Sequence, residues 1–198
     1  MSLVNEYLSN WVSPDGGGMI DPGDRLPPFE GAAVDTTKNE NPILFLVQAV
    51  YELFIAHPNR LEDLKRPFVQ HMEATRVEPG LHSRRPGDAK QFRQSHDNLV
   101  AMFIGSWLFN TAHRHEIFAY GSMHGWNFNV GEPGRFQLEC QMQGGDVAIA
   151  HLACGKQPSL WLLIWLGIGL AISTTWNLAD LRIKFLEHLA PAMPAHSR

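Results

Sequence analysis

The sequence predicts an all-α fold of antiparallel helical hairpins, forming one domain over residues 1–198. Three observations carry that expectation. Apolar residues recur at helical i, i+3, i+4 spacing along most of the chain. The composition, 44% hydrophobic and 18% charged with six tryptophans, can fill a core. The connections between apolar stretches alternate between very short and long, as successive reversing helices require. Lys and Arg total 16 against 20 Asp and Glu, a net charge of -4. A duplex-binding face needs concentrated basic charge, so no nucleic-acid partner is expected.

Asn41 can cap a first strong helix, Pro42 suits its first turn, and Ile43, Leu46, Val47, Val50, Leu53 and Phe54 line its apolar face. A break at His57-Pro58-Asn59 leads to a second stripe, Leu61, Leu64, Phe68 and Met72, with Pro67 predicting a kink. These two form a hairpin. Ser95 can cap the next helix, whose buried side is Leu99, Val100, Phe103, Ile104 and Trp107, and which ends near Asn110. Thr111 caps a short helix through Ile117 and Phe118, stopped by Gly121. Asp146 caps Val147 to Cys154, stopped by Gly155, and Pro158 opens the apolar run Leu160 to Ile172. The last helix starts at Asn177, buries Leu178, Leu181, Phe185 and Leu189, and ends at Pro191. Residues 135–143 fit helix or strand.

No residue from Gln157 to Ala179 is charged. Its strongly apolar part falls short of the roughly 20 residues that cross a bilayer, and no Lys/Arg cluster flanks it. The segment therefore predicts a buried central helix rather than membrane contact. Cys140 and Cys154 form no Cys-x-x-Cys spacing, which points away from a disulfide framework and toward a reducing compartment. The first residues show no secretory signal, so a cytoplasmic location is expected, or a virion-associated one if the protein is viral.

The long connections, 12–40, 76–94 and 120–134, fall at alternate reversals and so gather on one rim. Long loops on a rigid scaffold often carry function. That rim brings together Asp35, Glu40 and Asn41; then Glu78, His82, Arg84, Arg85 and Asp88; Ser95-His96-Asp97-Asn98; and Tyr120, His124 and Trp126. Carboxylates with imidazoles suit general acid–base work, guanidinium groups orient a polar ligand, and aromatic rings stack on a sugar. Asp97 and Glu40 are the expected acid–base pair, with His96 beside them. Asp35, Asn41, His82, Arg84, Arg85, Tyr120, His124 and Trp126 are the expected binding residues. A plainer account stands next to each: first-turn capping for Glu40, Asn41, Ser95, Asp97 and Asn98, loop ion pairs for Arg84 and Arg85, and a core role for Trp126.

No cofactor is expected. In His113-Arg-His115 the two rings differ by about 200° on a helix and cannot share an ion there. The His96-Asp97 pair in an all-α chain nevertheless resembles the HD-domain metal phosphohydrolases, and that resemblance implies a ligand set of His71, His96, Asp97 and Asp146. It departs from the family where Phe92-Arg-Gln-Ser95, rather than an apolar run, leads into the pair.

A second resemblance spans nearly the whole chain. Glu40-Asn41-Pro42, Val77-Glu-Pro-Gly80 leading to Arg84-Arg-Pro-Gly-Asp88, Ser95-His-Asp-Asn98 and Gly155-Lys-Gln-Pro158 resemble a group of uncharacterised phage and environmental proteins. The hairpin pattern is similar to the α/α-toroid folds of many glycan hydrolases and lyases, here as an open array shorter than six hairpins. The resemblance implies a glycan-binding or glycan-cleaving domain with a carbohydrate or small polar ligand. The competing expectation is a non-enzymatic virion or interaction protein whose rim is an interface.

Overall fold

The computed structural model describes residues 3–10, 12, 42–87, 94–129, 140–172 and 176–189. Among them the chain is mostly helical: α1 (Leu3–Asn10), α2 (Pro42–Ala56), a 3-10 turn (Pro58–Arg60), α3 (Leu61–Ala74), α4 (His96–Leu108), α5 (His113–Met123), α6 (Gly144–Ala153), α7 (Leu160–Ile172) and α8 (Trp176–Leu189). A short antiparallel hairpin, β1 (Arg76–Glu78) and β2 (Leu81–His82), interrupts them.

Alternate helices pack on one another: α2 against α4, and α4 against α6. Their sequences explain this inner row. Ile43, Leu44, Leu46, Val47, Ala49, Val50, Tyr51 and Leu53 of α2 are all buried, and in α4 every residue from Asn98 to Ser106 is buried. A helix apolar all round has no face to give to water and must be enclosed. By contrast α3 buries one stripe, Leu64, Pro67, Phe68, His71 and Met72, and α5 buries Ile117, Phe118, Tyr120 and Gly121. Helices α2, α3 and α4 meet at Gly105, where a Cβ would lie 2.4 Å from Phe68 Cε2 and 2.9 Å from Val47 Cγ2. Helix α8 closes the row by packing on α2 and α4.

Several expectations are corrected. Gly121 lies within α5 because Trp126 and Phe128 press against it, leaving no room for a side chain. The N-cap of α5 is Ala112 rather than Thr111, and that of α6 is Gln143, with Asp146 one turn in. Ser95 occupies the extended N-cap position of α4 but makes no side-chain capping bond.

The expected loop at 76–82 is the β-hairpin: Pro79 and Gly80 (φ +81°) form its turn, in the order that a type II turn favours. The apolar segment at 160–172 is not a buried central helix. One face of α7 packs on α6, while Leu160, Trp161 and Ile164 on the other are 75%, 64% and 45% exposed. Uniform apolarity identifies a helix without saying how many of its sides are covered. Among the described residues no helix is long and apolar enough to cross a membrane.

Candidate functional site

The start of α4 is where distant loops converge. Ser83, just past the hairpin, donates its N–H to Thr75 O (2.8 Å), and its own carbonyl accepts from Gln94 Nε2 (3.3 Å). Gln94 O accepts from Cys140 Sγ at 3.2 Å. Cys140 O accepts from Phe128 N (3.0 Å), and Met142 N donates to Trp126 O (3.0 Å). These bonds hold the residues after β2, after α5 and before α6 around residues 94–97.

Two carboxyl groups meet there. His96 Nδ1 lies 3.1 Å from Asp97 Oδ1 and 3.6 Å from Asp146 Oδ2, so α4 and α6 bring their N-termini together. The two acids occupy unlike surroundings. Asp146 is almost wholly buried and held from two sides: Gln143 N donates to Oδ2 (2.9 Å) in a capping box, and Arg182 Nη2 of α8 donates to Oδ1. Its charge is neutralised and its position set. Asp97 is 14% exposed beside a His96 that is 33% exposed. Burial pushes the Asp97 carboxyl above the usual range and the Asp146 charge adds to this, against the pull of His96, Arg182 and Arg84. Of the two, Asp97 is the one biased toward keeping its proton, while Asp146 is fixed in place by its hydrogen bonds. The half-buried Arg84 completes the cluster, its Nε making no hydrogen bond among the described residues.

The structure thus joins three expected residues, Arg84, His96 and Asp97, with Asp146. Arg182 is a contributor that the sequence reading missed. Its signal was present: 178, 181, 182 and 185 follow i, i+3, i+4, i+7, so a cation sits on the apolar stripe of α8. Arg85 is half-buried, its carbonyl accepting from Ser83 Oγ at 2.6 Å. Asp35, Glu40, Asn41 and Asp88 lie outside the described residues, so the expected Glu40–Asp97 pair falls there too.

The other expected binding residues lie elsewhere. Tyr120 is 7% exposed, its ring stacked on exposed His124 at 4.0 Å and tilted against Phe128, so it offers no free face for a ligand. Half-buried Trp126 packs edge-on to Phe118 (5.1 Å) and against His151 (5.9 Å). Its core role prevails because the αL conformation at φ +63° folds its ring over Gly121.

His82 is 1% exposed and cannot orient a substrate. It belongs to an interior histidine cluster with His71 and with His113, whose ring is 6.3 Å away and whose Nε2 lies 3.1 Å from Glu73 Oε1. Burial, reinforced by His71, His113 and Arg76, lowers the His82 pKa to about 3. The phosphohydrolase-like ligand set is accordingly split, with His71 beside His82 and the other three residues at α4. Among the described residues, no group of three or more His, Cys, Asp or Glu side chains is arranged to hold a metal ion.

No family model, no curated protein and no solved structure matches this chain. Fold and site define its class by themselves: a mostly helical protein with an inner row of buried helices and a histidine–carboxyl cluster where two of them begin.

Proposed function

We propose that the chain is an acid–base hydrolase of carbohydrate-type substrates, working at the start of α4. The observation that carries this reading is the pair of unequal carboxyl groups, Asp97 and Asp146, on one histidine. Paired titratable groups whose environments push them apart are how proteins assign acid and base roles at neutral pH. In this reading Asp97 gives its proton to the leaving oxygen as the glycosidic bond breaks. The water that adds to the anomeric carbon releases its proton to solvent, and His96, whose Nδ1 lies 3.1 Å from Asp97 Oδ1, returns a proton to Asp97 once reorientation aligns the two atoms. Asp146, held by Arg182, orients His96 and stabilises it when charged, and Arg84 binds polar groups of the ligand.

The inner row of α2, α4 and α6, with the N-termini of α4 and α6 at one end, supports an open toroid-like array, by fold-level analogy alone.

The test is release of reducing ends from a panel of neutral and acidic polysaccharides and bacterial cell-wall fragments, using the full chain. Asp97→Asn lowers turnover about 100-fold or more with an unchanged circular dichroism spectrum. Full turnover in that variant, or no release by the parent protein, overturns the reading. A second reading, a non-enzymatic interaction protein, is favoured by the exposed apolar side of α7.

A further inference from the structure

Helix α7 has two unlike sides. Toward the molecule it lies flush on the first turn of α6, where a Cβ on Gly144 would meet Trp165 at 2.9 Å and one on Gly145 would meet the Leu166 backbone at 3.2 Å. Toward solvent it shows Leu160, Trp161, Leu163, Ile164, Trp165 and Ile168, each between 40% and 75% exposed. Side chains of this size present together roughly 600 Å² of apolar surface, at the upper limit of what a soluble monomer ordinarily leaves open. An isolated patch of this kind costs solubility unless something covers it.

The pattern on the helix says what fits. A two-fold axis through Ile164, running antiparallel copies of α7 past each other, sets Ile164 against its own copy and pairs Leu160 with Ile168 along one i, i+4 stripe, with Leu163 and Trp165 at opposite edges of the contact. The stripe Leu160, Ile164 and Ile168 maps onto itself, and Trp161 stands level with the partner's Gly167, where a Cβ would have nothing within 4 Å, an open notch beside the indole. Self-complementarity of one patch is the condition for an isologous contact. Two copies would bury up to roughly 1,200 Å², with Leu163 and Trp165 forming the rim, the lower end of the range for stable interfaces. Charge agrees. No charged residue lies between Gln157 and Ala179, so the contact sets no like charges face to face in a chain of net charge -4. A membrane surface fits less well, because an interfacial helix draws on Lys and Arg along its polar edge and this stretch has none.

We propose that α7 is the interface of a symmetric antiparallel homodimer with its two-fold axis at Ile164. The inference stands on the surface of α7 alone and is independent of the catalytic reading, since its test measures no turnover.

Sedimentation velocity of the full chain at 1–50 μM should give twice the 22.3 kDa chain mass. Ile164→Arg, which sets two cations on the axis, should give a monomer with unchanged helicity. Gly167→Leu fills the notch and should weaken dimerisation at least tenfold while leaving the thermal midpoint unchanged or higher, because leucine is the better helix former. Ile164→Cys should form an intermolecular disulfide on mild oxidation that the parent protein does not. A monomeric parent chain, or a dimer that survives both Ile164→Arg and Gly167→Leu, overturns the proposal. So does flotation with neutral phosphatidylcholine vesicles that Ile164→Arg abolishes, which would make lipid the occupant.

Discussion

Asp97 and His82 show how differently two buried ionisable residues behave, and each leads to a measurement. With its pKa raised, Asp97 binds protons more readily folded than unfolded, so ionising it on folding costs stability as pH rises above the carboxylate range. Asp97→Asn should therefore raise the thermal midpoint at pH 7, and the gain should shrink as pH falls below the ordinary carboxyl value of 3.8, where the parent carboxyl is protonated in both states. Turnover and stability would then move in opposite directions, as expected of a catalytic group whose environment costs stability.

His82 runs the other way. Its pKa of about 3 in the fold lies below the ordinary 6.5, so its neutral ring favours folding fully above pH 6.5. That contribution is lost as pH falls from 6.5 toward 3, at up to ~1.4 kcal/mol per pH unit. His82→Phe should flatten this limb in urea titrations at pH 4–7. Both side chains were visible as residues in the sequence, but their burial was not. Sequence spacing set His82 on a solvent rim, whereas the fold turns it inward among His71, His113 and Thr75.

The elements divide into those with strong periodicity and those made by contacts. Helices α2, α4 and α8 follow from apolar spacing and starting residues, to within a residue or so. The β-hairpin does not, because three- and two-residue strands have too little alternation to register, although the Pro79-Gly80 pair marks its turn. Gly80 carries two demands at once: φ of +81°, and close approach to α5, where a Cβ would lie 2.3 Å from Glu116 O. Gly80→Ala should destabilise by ~2 kcal/mol or more, read as a fall in urea midpoint, with faster amide exchange at residues 76–83. At Gly105 the demand is space alone. Alanine there must displace the Phe68 ring, and overpacking of this kind costs about 1–3 kcal/mol.

At the scale of the whole molecule, the Arg182–Asp146 pair ties the last helix to the start of α6, with both side chains at most 7% exposed. Removing one member leaves a buried charge without its partner. Arg182→Met should cost about 3–5 kcal/mol, seen as a lower urea midpoint at unchanged slope. It should also disturb the pH profile of any turnover, since Asp146 would no longer hold His96 from a fixed position. The same pair explains why the site was only partly legible. Adjacent residues such as His96 and Asp97 reveal themselves in the chain, but Asp146 and Arg182 are joined across 36 residues.

The sequence by itself determined the helical character of this protein, the bounds of its strongest helices, the absence of charge along α7 and the start of α4 at the Ser95-His-Asp-Asn98 stretch. Those are properties of local spacing and residue type, and local spacing survives without knowledge of the fold. Only the tertiary structure decided which histidine is buried, which carboxyl is held by Arg182 and which side of α7 faces water. Each of these depends on what lies across the core, and a chain position carries no information about its neighbours in space until the helices have packed.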